Sequence, residues 1–249
     1  MLNLDSTTNW DSASQRKFWN DWDTTYLQEA AIGPEALRRG QAAITLLQSL
    51  SLLKPNIIEL GCGNGWLAER LISFGPVSGV DIADAAIEEA SRRVPGGAFR
   101  AGDIMQMNLP AQAFDVAITL ETFSHVPNQS SFAELIANIL RDSGYLILST
   151  QNRTVYMRRR GIHPPPEGQL RRWVTMRELR RILLPHFEIV KAFTMQPAGD
   201  SGFLRVVNSR KLNTLLSKAI SRTSLEHLKE KCGLGQTLFV VAQKRRRAT

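Results

Sequence analysis

The sequence predicts an α/β fold: a mostly parallel sheet with helices on both faces. Three observations carry this. From Pro55 onward, short apolar runs alternate with helical stretches, the pattern of strands joined by crossover helices. The first run, Ile57-Ile58-Glu59-Leu60, enters the turn Gly61-Cys62-Gly63-Asn64-Gly65. Glycine lacks a Cβ and takes positive φ at little cost, so a strand can turn here into a helix with its backbone bare toward a ligand. The chain of 249 residues, 43% apolar and 22% charged, is also long enough to bury such a core.

The elements follow in order. A strand near 56–60 leads into a helix near 64–74, and a strand near 76–81 into a helix near 84–94. Asp84 suits the N-cap of that helix, since a short polar side chain accepts from unpaired backbone N–H groups. Strands near 97–101 and 114–119 come next, then a helix near 130–141 opened by Ser130, a turn at Gly144 and a strand near 144–149. Thr175 with Glu178 has capping-box spacing for a helix near 175–184. Two late β runs, 187–193 and 237–242, bring the sheet to seven strands. Residues 1–33 read as an N-terminal helical arm or lid, with Phe18, Trp22 and Tyr26 at helical spacing and Trp19 beside them. Gly33 and Pro34 break the chain; Pro34 fits the first turn of a helix whose face Leu37, Ile44, Leu47 and Leu50 mark. The main domain is 34–249, with insertions near 152–173 and 195–234.

The spacing of the glycine turn also selects a ligand. Dinucleotide loops use G-x-G-x-x-G, whereas here the third glycine comes one residue early and Glu59 stands two positions before the first. No Lys-Ser/Thr pair follows, which argues against a nucleoside triphosphate. A nucleoside with a cationic amino-acid end fits better beside a carboxylate. The segment resembles the first signature of the class I S-adenosylmethionine-dependent methyltransferases, E/D-x-G-x-G-x-G. Three further runs resemble the later signatures in the same order: Val77-Ser78-Gly79-Val80-Asp81-Ile82-Ala83, Phe99-Arg100-Ala101-Gly102-Asp103-Ile104, and Phe114-Asp115-Val116-Ala117-Ile118-Thr119-Leu120-Glu121.

The resemblance implies a Rossmann-like sheet of order 3-2-1-4-5-7-6 and S-adenosyl-L-methionine as cofactor, with S-adenosyl-L-homocysteine as product. It implies that Asp81 takes the ribose hydroxyls and Asp103 the adenine amine. The cofactor set is then Glu59, Gly61, Cys62, Gly63, Asn64, Gly65, Asp81, Ile82, Gly102, Asp103, Ile104, Leu120 and Glu121. Cys62 also reads as a small filler or a thiol activated by a helix N-terminus, and Asp115 as a cap at the start of its strand.

Four histidines are present, and two are candidates for catalysis. His125 lies just past the fourth strand, where open parallel sheets bind their ligands; His163 lies in the first insertion, and His186 reads as structural. The runs Glu121-Thr122-Phe123-Ser124-His125-Val126-Pro127 and Ser149-Thr150-Gln151-Asn152-Arg153 are similar to those of the ubiquinone-biosynthesis O-methyltransferases. That likeness implies a small-molecule acceptor with oxygen as nucleophile, an amine remaining open, and a membrane-facing insertion after the fifth strand. No metal is expected, since Glu121 has no companions at ligand spacing.

Charge is divided unevenly. Residues 150–249 carry 21 Lys/Arg against 6 Asp/Glu, a balance of +15, while 1–149 carry 10 against 17, a balance of −7. The basic half suits an anionic partner or is a solvated face. Leu212, Leu215, Leu216, Ala219 and Ile220 form a stripe flanked by Arg210, Lys211, Lys218 and Arg222, which packs on its own domain or lies on an anionic membrane. The expected partner is a small molecule, anionic or lipid-like, with peripheral membrane contact through the basic insertions as the accompanying reading. Nucleic acid is not expected: no base-methylation motif is present, and aromatics do not interleave with the basic clusters. Two cysteines, no basic leader in residues 1–14 and no apolar run of spanning length (about 18 residues) point to a cytoplasmic setting. The alternatives are an RNA methyltransferase and a cofactor-binding protein without catalysis.

Overall fold

The computed structural model describes residues 11–26, 32–217 and 220–246. In chain order the elements are α1 (Ser12–Tyr26), α2 (Pro34–Ser49), β1 (Ile57–Leu60), α3 (Ala68–Leu71), β2 (Val77–Asp81), α4 (Asp84–Arg93), β3 (Ala98–Ala101) and β4 (Phe114–Leu120). A 3-10 turn (Phe123–His125) precedes α5 (Gln129–Ile139), β5 (Leu140–Gln151), α6 (Arg153–Tyr156) and α7 (Met176–Leu183). Then follow β6 (Phe187–Pro197), α8 (Gly202–Val207), α9 (Arg210–Leu216), α10 (Arg222–Lys231) and β7 (Gly235–Lys244).

The sheet has the order β3-β2-β1-β4-β5-β7-β6 expected from the resemblance. Five strands run parallel; β7 is antiparallel to both β5 and β6, which leaves β6 parallel to the rest. β1 and β4 are buried along most of their length because both faces are covered. Ile57 joins a core with α2 and α3, through Leu47, Leu67 and Leu71. Its neighbour Ile58 points the other way, into a core with α5 and α7, through Phe132, Ile136 and Leu179. Alternation of side chains along a strand makes adjacent isoleucines serve opposite layers.

Several local expectations need correction. The helix expected at 64–74 shrinks to α3, with turns on either side, because three glycines and Asn64 hold the preceding backbone in loop conformations. The N-cap of α4 is Ala83, not Asp84, whose carboxylate instead takes Arg16 Nη1 at 3.0 and 3.1 Å. Asn20 of α1 supplies the missing acceptor, its Oδ1 receiving Ala85 N–H. The N-cap of α5 is Asn128, one residue before the helix, which accepts from Ser130 and Ser131 N–H; Ser130 is a donor there. The capping box of Thr175 and Glu178 is present at α7.

Asn152 ties the first insertion to the sheet. It is 3% exposed, donates through Nδ2 to Gly235 O at 2.8 Å, and accepts Thr154 N–H at Oδ1. The basic stripe of the second insertion is only partly described: Lys218 and Ala219 lie outside the described residues, as do the side chains of Arg210, Leu215 and Leu216, and so do Tyr26's side chain, Arg247 and most of residues 1–14. Among the described residues, no helix is long and apolar enough to cross a membrane.

Candidate functional site

In this topology β1 lies between β2 and β4, and the carboxyl ends of β1 to β4 reach one edge in register. Leu60 pairs with Val80, Asp81 with Ala101 and Glu59 with Ile118. The residues just past each strand therefore meet at the switch point where the strand order reverses, the place such sheets bind ligands. A cavity of about 250 Å³ opens there, and Gly61, Gly63, Asp81, Ile82, Asp103 and Ile104 line one side of it. Leu120, Glu121 and His125 line the other.

Not all the expected residues reach it. Glu59, Cys62, Asn64, Gly65 and Gly102 stand outside the lining. Cys62 is buried at 1% exposure, with Sγ toward Gly79, as the filler reading has it. Gly65 packs so closely on Ala90 of α4 that a Cβ would come within 2.9 Å of that side chain. His163 is exposed, and its carbonyl accepts Arg171 Nη1 at 2.8 Å. The insertion loop thus carries it away from the cavity.

The acids of the site differ in environment. Asp81 holds the glycine turn, accepting Gly63 N–H at 2.8 Å on Oδ2 and Ala83 N–H at 3.0 Å on Oδ1. Burial raises its carboxyl above the ordinary range, and those backbone donors oppose the shift. Behind it, burial and then the charge of Asp81 push Glu59 well up, and Glu59 Oε2 has no hydrogen-bond partner among the described residues. Glu121 sits at φ +64, in the left-handed region that non-glycine residues seldom occupy. Ser149 holds it there, donating Oγ to Glu121 Oε1 at 2.9 Å, with Arg39 Nε 3.8 Å away. Burial raises the Glu121 carboxyl, and Arg39 counters.

Two features test whether S-adenosylmethionine fits. Among the described residues nothing comes within 4 Å of where a Cβ on Gly63 (φ +50) would stand, so the turn presents bare backbone to the cavity. Around that space lie the carboxyl groups of Asp81, Asp103 and Glu121, at or just past the ends of β2, β3 and β4, an electrostatic setting that favours a sulfonium and an ammonium. The residues present fit the cofactor.

His125 is a neutral base by construction. Its Nδ1 lies 2.6 Å from Leu170 O, so that nitrogen is the donor, and Nε2 makes no hydrogen bond among the described residues. Burial lowers its pKa from 6.5 to about 4, Leu170 opposes, and the Arg171 charge assists. Above pH 6.5 the ring is neutral folded or unfolded. Between 6.5 and about 4 only the unfolded chain takes up the proton, so this group's effect is to weaken the fold as pH falls through that window. The limit is about 3 kcal/mol. His125→Gln is expected to retain more of its stability from pH 7 to pH 4.5 than wild type, read from urea midpoints; equal losses in the two proteins would refute the burial effect.

Sequence spacing did not reveal how α1 closes the site. Trp19 meets the His125 ring edge-on at 4.9 Å, and Gln15, Trp19 and Trp22 wall the cavity. Ser12 Oγ donates to Asp103 Oδ2, and Arg16 binds Asp84. The signal was the aromatic cluster, but its target is a long-range contact.

Residues 35–186 match a family described as a methyltransferase domain, and the chain belongs to it. The family's cofactor is S-adenosyl-L-methionine. The ubiquinone biosynthesis O-methyltransferase of Coxiella burnetii is 30% identical over 111 residues, 43% of this chain and 47% of that protein. The match thus spans about half the length of that relative. An S-adenosylmethionine-dependent methyltransferase from Mesorhizobium loti superposes with TM-score 0.58 at 18% identity, over 80% of this chain and 96% of the other. The [4+2]-cyclase SpnF does so with TM-score 0.56 at 17% identity, over 82% of each chain. At such identities the likeness concerns the fold, and the cyclase illustrates that a fold can host more than one reaction.

Proposed function

We propose that this chain transfers a methyl group from S-adenosylmethionine to a small-molecule acceptor, with oxygen as the nucleophile. The observation that carries this reading is the convergence of Asp81, Asp103, Glu121 and the bare Gly63 turn with the neutral His125 on one cavity. The bound cofactor supplies an electrophilic methyl carbon on a sulfonium. Asp81 offers two acceptor oxygens to a vicinal diol, and Asp103 offers a carboxylate to an exocyclic amine once Ser12 yields it. The turn at Gly61 and Gly63 cradles the amino-acid end.

The acceptor enters beside Leu120, Glu121 and His125. In-line displacement needs chiefly alignment, which is worth about 7–11 kcal/mol at its limit. His125 Nε2 accepts the hydrogen bond of the attacking O–H and fixes its direction. A conjugate acid near pH 4 makes this imidazole a poor proton store, so His125 would orient the acceptor O–H while the proton leaves to water, and bound S-adenosylmethionine would supply the methyl group and leave as the neutral thioether. Helix α1 acts as the lid: Gln15, Trp19 and Trp22 wall the cavity, and Ser12 bonds Asp103. The 30% identity to a ubiquinone-biosynthesis O-methyltransferase supports the oxygen acceptor.

The test is transfer of label from S-adenosylmethionine to a panel of phenols, catechols and amines, before and after nuclease treatment. Nuclease-resistant transfer to a phenolic oxygen is the expected outcome. Label appearing only in RNA, or S-adenosylmethionine binding without transfer to any compound, would overturn the reading.

A further inference from the structure

A second cavity, of about 760 Å³, lies at the end of β6. Because β6 runs parallel to β5, its terminal residues Gln196 and Pro197 reach the same sheet edge as the site described above. The walls come from three places: the first turns of α2 (Glu35 and Arg38), the end of β6, and Asn208 with the helices α9 and α10 of the second insertion. This pocket is therefore built jointly by α2, the end of β6 and the segment between the last two strands.

Its distinctive group is Lys229. The residue is 8% exposed, yet its ammonium meets only neutral oxygens, Asn213 Oδ1 at 2.9 Å and Asn208 Oδ1 at 3.2 Å. An ammonium has three donors, so one remains. The other charges lining the cavity are Glu35, Arg38, Arg222 and Glu226. Arg38 Nη2 binds Glu230 Oε1 at 2.7 Å, and Glu230 also accepts Gln196 N–H. Arg222 stands 3.7 Å from Glu226 in an exposed pair. Glu35 lines the cavity and its charge also raises Glu121, while the charge of Glu226 opposes the lowering of the Lys229 pKa by burial. No carboxylate among the described residues comes within ion-pair distance of Lys229. Buried charges in proteins are ordinarily paired, because an uncompensated one carries a desolvation penalty of several kcal/mol (about that size even after relaxation). Glu226 favours the ammonium only from beyond ion-pair distance, so the contact position is open to an anion, and the cavity beside Lys229 is large enough to admit a molecule bearing one.

We propose that this cavity binds a small molecule through a single carboxylate or phosphate group, with the Lys229 ammonium as its counter-charge. The two amide side chains hold the ammonium in place, and Thr214 and Ser217 supply hydroxyls on the same wall. The proposal does not depend on the methyl-transfer reading. The anion belongs either to the acceptor or to a separate effector, and both present the same chemistry to Lys229.

The full chain would be titrated calorimetrically with sodium phosphate and with sodium acetate at constant ionic strength, with and without saturating S-adenosylhomocysteine. Saturable millimolar binding of one anion is expected, weakened at least tenfold in Lys229→Met and largely kept in Lys229→Arg. S-adenosylhomocysteine affinity should stay within twofold in both variants. Anion binding that strengthens with the homocysteine product present assigns the group to the acceptor; independence assigns it to an effector. As a readout without mutation, the anion should slow acetylation of Lys229 at least fivefold in the wild-type chain, measured by mass spectrometry. No saturable binding, binding unchanged in Lys229→Met, or unprotected Lys229 would overturn the proposal.

Discussion

Asp81→Ala is expected to weaken S-adenosylhomocysteine binding by at least about 100-fold. The side chain does two jobs at the end of β2. Toward the protein it accepts the Gly63 and Ala83 N–H groups and so shapes the glycine turn. Toward the cavity it presents the acceptor oxygens a ribose diol requires. Hydrogen bonds to a charged group contribute about 1.5–3 kcal/mol each, so loss of two is worth more than a factor of 100. The fold should survive, because removing the carboxylate also relieves repulsion of the buried Glu59. Calorimetry on wild type and variant, with circular dichroism as a folding control, decides the matter. A folded Asp81→Ala protein that binds within fivefold of wild type would remove the cofactor assignment.

The second large effect separates two glycines that the sequence pattern treats alike. Gly61→Ala should fail to fold or lose most of its stability. At φ +78 the new Cβ is strained, and it would collide with the Thr122 side chain behind the turn. Gly63→Ala should fold with a loss of about 1 kcal/mol from its left-handed conformation, since no protein atom lies within 4 Å of the new methyl. Yet that methyl enters the space assigned to the cofactor, and S-adenosylhomocysteine affinity should fall by at least an order of magnitude. Chemical denaturation and calorimetry on both variants provide the comparison. Equal affinity in Gly63→Ala and wild type would mean that the ligand does not approach this turn.

Much of the fold was legible because its signals are local. The β-branched runs, the glycine turn and the acids at the strand ends lie within a few residues of one another, so order and spacing sufficed for seven strands, while their sequence in the sheet came from the family resemblance. Element edges were less legible. Asp84 and Ser130 are good capping residues by type, but Arg16 claims the first and Asn128 preempts the second. Residue preference says what a side chain accepts, not which competitor arrives. His163 shows the same limit on a larger scale: it belongs to the chain segment after β5, as the pattern suggested, but the loop, tied down at Asn152 and Val174, turns its side chain outward.

By itself the sequence determined the strand-and-helix rhythm, the parallel sheet and the identity of Asp81, Asp103 and Glu121 as strand-end acids, since hydrophobic period and glycine spacing are properties of neighbours along the chain. Only the tertiary structure decided that α1 lays Trp19 on His125, that burial and the Leu170 carbonyl make that histidine a neutral acceptor, and that Lys229 stands buried beside a cavity with no carboxylate of the described residues at ion-pair distance from its ammonium. These depend on contacts between residues 16 to 106 positions apart, where desolvation and charge pairing are set by packing and leave no mark on the local pattern.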